Sequence, residues 1–138
     1  MLVEKVYVSG KGRFVMIMDS ITSVGANDEG AIVVSASHGG VSAAEYALKI
    51  PLAAVFFNDA GVGKDEAGIA GLKMLQEKGI PAGAVSHETA QIGDGKDTWE
   101  FGIISNLNNA AREAGFQVQE KVRDAAVKFA DTLSSPPA

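Results

Sequence analysis

Val, Ile, Phe and Tyr dominate two runs, Leu2 to Val8 and Arg13 to Met18, and the residues between them, Ser9-Gly10-Lys11-Gly12, are turn material. The chain therefore opens on a predicted β-hairpin. The second run is too uniformly apolar for a strand with one wet face, which places it deeper in the sheet than the first. Ala31 to Ala36 and Leu52 to Phe57 are two further buried runs, and Pro81 to Val85 is a shorter one rich in glycine and alanine. Each ends on polar or glycine-containing residues, the mark of a strand reaching a rim.

Helical spacing fills the gaps. Ser42 and Glu45 stand at capping-box spacing, so a helix is expected to start at Val41 or Ser42, and Pro51 ends it near Lys49. Between Asp65 and Lys78 a stripe of Ile69, Leu72 and Leu75 is closed by Gly79 and blocked by Pro81. Trp99, Ile103, Leu107, Ala110 or Ala111, and Ala114 predict one helix from Asp97 to Gly115, and Val118, Val122, Ala126 and Phe129 predict a last one. Ser23 to Gly30 reads as a loop.

Strands alternating with helices predict an α/β domain of two or three layers. Its sheet is mixed but mainly parallel, with about four or five strands including the N-terminal hairpin. With 138 residues the chain has room for one such domain, residues 1–133, followed by a flexible tail, residues 134–138.

Composition narrows the function classes. Seventeen acidic side chains against twelve basic ones give a net charge of -5, and the three arginines stand far apart at 13, 112 and 123. No phosphate-tracking stripe is written in this pattern, so neither nucleic acid nor an anionic membrane is an expected partner. The absence of cysteine excludes disulfides, thiolate nucleophiles and sulfur-ligated metals. No signal-peptide core and no run long enough to span a bilayer stand in the sequence, which makes a soluble cytoplasmic protein the expectation.

The chemistry concentrates where the parallel strands should end, the edge at which open α/β sheets bind ligands. Asp19 and Ser20 follow the second strand; Ser37, His38, Gly39 and Gly40 follow the third; Asn58, Asp59 and Lys64 follow the fourth; Ser86 and His87 follow the fifth. The chain has two histidines, and both stand at such ends directly after a serine. Imidazole can donate or accept a proton near neutrality, so His38 and His87 are the candidate acid–base groups, with Asp59 to orient one of them and Lys64 to hold an anionic charge. Asp19, Ser20, Ser37, Gly39, Gly40, Asn58, Ser86 and Asn106 are candidate substrate contacts. Asn106 is expected on a helix face shared with Asn109. Gly39 and Gly40 either admit an anion to the backbone or simply make a tight turn.

His38, His87 and Asp59 could also hold a divalent metal through nitrogen and oxygen, although no two-histidine metal spacing is present. A serine hydrolase built from Ser37 or Ser86 with either histidine and Asp59 is a further option, but the sequence contains no G-x-S-x-G elbow. The segment from Asn58 to Asp65 fails as a P-loop, because Asn58 stands where the motif opens on glycine and Asp65 where it closes on a hydroxyl residue. The G-x-G-x-x-G pattern also fails, because Glu66 stands where its third glycine belongs.

These residues predict a small enzyme acting on a compact anionic metabolite by acid–base chemistry: hydrolysis, elimination or isomerisation, with or without a metal. The alternative is a non-catalytic ligand-binding or oligomeric regulatory protein. In either case a homo-oligomer is expected, since small α/β domains often complete their pockets at symmetric interfaces.

Overall fold

The computed structural model of the chain describes residues 1–136. Among these residues six strands lie in one sheet in chain order: β1 (Val3–Val8), β2 (Phe14–Met18), β3 (Ile32–His38), β4 (Ala54–Asn58), β5 (Ala82–Val85) and β6 (Ile104–Leu107). β2 to β5 are parallel, and the two outer strands run antiparallel to their neighbours. The hairpin and the mixed, mainly parallel sheet are as expected, with one strand more.

Five helices among the described residues accompany the sheet: α1 (Val41–Ala47), α2 (Ala70–Glu77), α3 (Gly95–Phe101), α4 (Asn109–Glu113) and α5 (Val122–Thr132). Side chains alternate across the strands, so each strand serves two cores. Val15, Ile17, Ile32, Val34 and Phe56 meet Trp99, Val122 and Ala126 of α3 and α5 on one face. Met16, Met18, Val33, Val55 and Phe57 meet Ala43, Ala47, Leu72 and Leu75 of α1 and α2 on the other. Right-handed crossovers that advance one strand at a time put α1 and α2 on the same side, and the result is three layers.

The sixth strand corrects the predicted helix over Asp97 to Gly115. The spacing of four from Trp99 to Ala111 is coincidental. Gly102 is extended and ends α3, Ile104 to Leu107 pair with β5, and the Asn108 side chain caps α4 by accepting from Ala111 N–H. Asn106 therefore lies on a strand and shares no helix face with Asn109. The asparagines are explained by their preference for caps over helix interiors. Asn108 also accepts from Ala82 N–H and donates to the Leu72 and Ile80 carbonyls, tying α4 to β5 and α2.

α1 starts at Val41 as expected, but its capping and the start of α2 differ. Gly40 is the N-cap of α1 and no side chain caps it, so Ser42 and Glu45 form no capping box. α2 begins at Ala70, because Asp65 and Glu66 hold left-handed backbone within a 3₁₀ segment, Lys64–Ile69. The loop after β2 is pinned: Asp28 accepts from Gly25 N–H, and Gly30 N–H donates to the Pro51 carbonyl.

Arg13 donates to the carbonyls of Gly30 and Ser134, which brings residue 134 against the hairpin. Residues 137 and 138 of the expected tail lie outside the described residues. No helix among the described residues is long and apolar enough to cross a membrane.

Candidate functional site

Parallel β2, β3, β4 and β5 deliver Asp19, His38, Asp59 and His87 to one rim, in that order. His38 pairs across the ladder with Asn58, which in turn pairs with Val85. His38 and His87 thus flank the tip of β4, on strands whose backbones lie about 10 Å apart.

Asp59 and His87 form the centre of this rim. His87 Nδ1 lies 3.1 Å from Asp59 Oδ1, and the same oxygen accepts from the backbone N–H groups of His87 and Gly61. The other carboxylate oxygen accepts from the Ser105 hydroxyl at 2.7 Å. Burial pushes the Asp59 carboxyl up, but the hydrogen bonds from Ser105, Gly61 and His87 outweigh it and hold the group below its ordinary range. An ionised carboxylate can only accept, so in the neutral ring the shared proton sits on Nδ1 and the lone pair on Nε2. The His87 side chain is 49% exposed against 8% for Asp59, so solvent reaches the imidazole far more than the carboxylate. Gly61 lies against the ring: a Cβ there would be in van der Waals contact, 3.6 Å from Cε1 and 3.7 Å from Nε2.

The loop beneath the ring is strained. Ala60, Val62, Asp65 and Glu66 have φ between 51° and 65°, and Val62 is β-branched. Left-handed backbone costs about 1–2 kcal/mol per residue. Asn58 Oδ1 accepting from Ala60 N–H, and the Asp59 carboxylate and carbonyl accepting from Gly61 and Val62 N–H, hold the loop in place. Strain maintained in this way is characteristic of functional sites.

The remaining expected contacts divide. Asn58 is fully buried and structural, donating to the Ala90 carbonyl. Ser86 accepts from Glu88 N–H, and Ser37 accepts from Ile21 N–H and donates to Ser20. Among the described residues no serine is hydrogen-bonded to either imidazole, so the serine–histidine–aspartate arrangement is not assembled. Lys64 is exposed at the start of its 3₁₀ segment. The Asn106 side-chain oxygen on β6 lies 3.0 Å from the Ser105 hydroxyl, beside the site rather than on a helix face. Among the described residues no group of three or more His, Asp or Glu is gathered to hold a metal. The set of His38, His87 and Asp59 is split, because Asp59 joins His87 while His38 lies across the β4 tip.

Gly39 and Gly40 are closely packed. A Cβ at Gly39 would stand 3.0 Å from the Gly68 carbonyl oxygen and one at Gly40 3.1 Å from His38 Cδ2, and the Gly39 carbonyl accepts from Gly71 N–H.

His38 opens on two clefts, one of about 360 Å³ between the β2 and β3 tips and α1, the other of about 460 Å³ toward Ala60 and Val62. Ser42, Tyr46 and Ile92, absent from the sequence-derived site, line the first. Ser42 and Tyr46 are one helical turn apart, a signal that could have paired them. Ser105 was hidden by the misread strand.

Asp19 is occupied structurally. Its two oxygens accept from Leu2 and Gly95 N–H, and these bonds hold its carboxyl below the ordinary value of 3.8. A folded-state value below the unfolded one contributes stability at neutral pH that is lost as pH falls below that range. Wild type should therefore lose stability relative to Asp19→Asn in urea titrations run below about pH 4. Parallel pH profiles for the two proteins would refute this clamp.

The fold and rim define a three-layer α/β domain with a carboxylate–histidine pair at the strand C-termini. Compared with known proteins, the chain matches no family model, no curated protein and no solved structure.

Proposed function

We propose that this protein is an enzyme that moves a proton on a compact metabolite at the strand C-termini, with His87 as the acid–base group and Asp59 as its orienting partner. The observation that carries the reading is the 3.1 Å contact from His87 Nδ1 to a nearly buried carboxylate, with the imidazole itself half exposed. A carboxylate that fixes the ring and stabilises the imidazolium formed on proton uptake is what general base catalysis needs. With no serine on either imidazole among the described residues, proton abstraction in elimination or isomerisation fits better than hydrolysis through a serine nucleophile. The strained 60–66 loop supports the same reading.

The anionic substrate rested on Lys64 and the glycine turn. The walls of the two clefts beside His38 contain no lysine or arginine, so the proposal is limited to the proton transfer.

The test is a turnover screen against elimination and isomerisation substrates, with wild type and His87→Ala side by side. Turnover in His87→Ala is expected to fall about 100-fold while its thermal unfolding stays close to wild type. A substrate turned over equally by both proteins would overturn the proposal.

One observation favours a second reading. The cleft between the β2 and β3 tips lies across β4 from the His87–Asp59 pair, and a ligand-binding protein, as a monomer or an oligomer, needs no more than such a cleft. Ligand binding that is unchanged in His87→Ala, with no turnover in wild type, would favour it.

A further inference from the structure

β6 reads Ile104-Ser105-Asn106-Leu107, and its two apolar residues, three positions apart, both face the core shared with α5. In a regular strand they would point to opposite faces. A bulge makes the difference: Asn106 pairs with Ala84 and Ile104 with Val85, which leaves Ser105 as the extra residue. Such a bulge re-aims a side chain, and this one turns Ser105 onto Asp59. The start of β6 is also tied to the turn that carries His87, because Ser86 N–H donates to the Ile103 carbonyl and Ile103 N–H donates to the Thr89 hydroxyl. One frame thus presents both Ser105 and His87 to the carboxylate.

Ser105 has one hydroxyl proton and three oxygens within reach: Asp59 Oδ2 at 2.7 Å, Asn106 Oδ1 at 3.0 Å and the Ala84 carbonyl at 3.4 Å. The ionised carboxylate, nearest of the three, takes the proton. An Asn106 oxygen would then face the hydroxyl oxygen with no proton between them. Half a turn of the amide about its Cβ–Cγ bond exchanges that oxygen for the NH2 group at the same place and supplies a donor. Asn106 is half-buried and lines a cleft of about 520 Å³ beside α2, so the other end of the amide is not sealed off from water.

We infer that Ser105 and Asn106 are positioning residues for the His87–Asp59 pair: the Asn106 amide donates to the Ser105 oxygen, the Ser105 hydroxyl donates to Asp59 Oδ2, and Oδ1 is thereby held toward His87 Nδ1. The inference rests on the proton-transfer reading for its purpose, and it assigns Asn106 to the support of the carboxylate instead of to the substrate. Each donation polarises the next along such a chain.

Two NMR signals read the chain without any substrate: the side-chain ¹³C resonance of Asp59, followed through its titration, and the ring ¹⁵N shifts of His87, which report its tautomer. In Ser105→Ala the Asp59 midpoint should move to higher pH, since a donor to the charged form is gone. The neutral His87 ring should at the same time lose part of its Nδ1–H form. Ser105→Thr keeps the hydroxyl and should match wild type in both signals. Asn106→Leu settles which way the amide faces. Loss of a donor to Ser105 weakens the bond to Asp59 and should raise the midpoint, by less than Ser105→Ala does, whereas loss of a competing acceptor would lower it. The inference is overturned by an Asp59 midpoint that stays in place in Ser105→Ala, by a threonine variant that behaves as the alanine one does, or by an Asn106→Leu midpoint that falls or stays. Any of these leaves the proton-transfer reading intact, since that stands or falls on turnover in His87→Ala.

Discussion

Asp59→Ala is expected to cost about 2–4 kcal/mol of stability and to lower turnover by about 10²–10⁴-fold. Four donors converge on this carboxylate: the Ser105 hydroxyl, the N–H groups of Gly61 and His87, and the His87 ring. The N–H groups of Gly61 and His87 are then left short of an acceptor, and the left-handed residues from Ala60 to Glu66 lose a principal tether. His87 loses the group that fixes its proton on Nδ1, so Nε2 no longer carries the lone pair in every molecule. Asp59→Asn serves as the partial variant: its amide oxygen still accepts, but the negative charge is gone. It should keep more of the stability than of the turnover.

The pH dependence follows from the direction of the Asp59 shift. Its carboxyl titrates below the ordinary 3.8 in the folded chain, so its contribution is complete at neutral pH and is lost as pH falls below about 4. The stability gap between wild type and Asp59→Ala should therefore close on acidification. Urea unfolding between neutral and acidic pH, with amide exchange at Gly61 and His87, measures both effects. A wild-type urea midpoint and unchanged exchange in Asp59→Ala would show that the carboxylate holds nothing.

Gly68→Ala should be the most damaging small substitution in the chain, at more than about 3 kcal/mol. The added Cβ would stand 2.2 Å from the Asp59 carbonyl oxygen, which already accepts from Val62 N–H, and 3.1 Å from the Val62 carbonyl oxygen. Both obstacles are backbone, so no rotamer change can relieve them. Gly71→Ala meets the same limit on the other side of the segment, with its Cβ 2.5 Å from the Gly40 carbonyl oxygen and 2.9 Å from Ala44 Cβ. The two glycines let the 59–62 loop, the 39–40 turn and the start of α2 pack backbone on backbone, and that contact sets where Asp59 sits. Gly10→Ala is the control: a Cβ there has nothing within 4 Å, and the change should stay within about 0.5 kcal/mol. Calorimetric unfolding of the three variants gives the comparison. Equal unfolding temperatures for Gly68→Ala and Gly10→Ala would contradict the close approach.

Short apolar runs ending on polar or glycine residues were enough to place five of the six strands, because such a run and its end are local properties. The weakest of these, β5, was hard to read for a reason found only in its neighbours. A Cβ at Gly83 would lie 2.7 Å from Phe56 Cε1 and 2.8 Å from Leu107 Cδ2, so the glycine there makes room for two large side chains from adjacent strands. β6 was misread because four short-range apolar spacings suit a helix equally well. Its pairing with β5 decided the matter, from Val85 opposite Ile104 to Gly83 opposite Leu107, and the Asn108 side chain, besides its local cap, accepts from Ala82 N–H on that distant strand.

The amino-acid order by itself determined the layered α/β class, the hairpin and the gathering of Asp19, His38, Asp59 and His87 on one rim, since parallel strands joined by right-handed crossovers leave no other place for their ends. Tertiary structure alone decided which of these residues meet. Asp59 reaches His87 and Ser105, Asp19 is spent on two backbone N–H groups, and Gly39 and Gly40 serve packing. A hydrogen bond requires a donor and acceptor within about 3 Å, and separation along the chain carries no information at that scale until the strands are laid side by side.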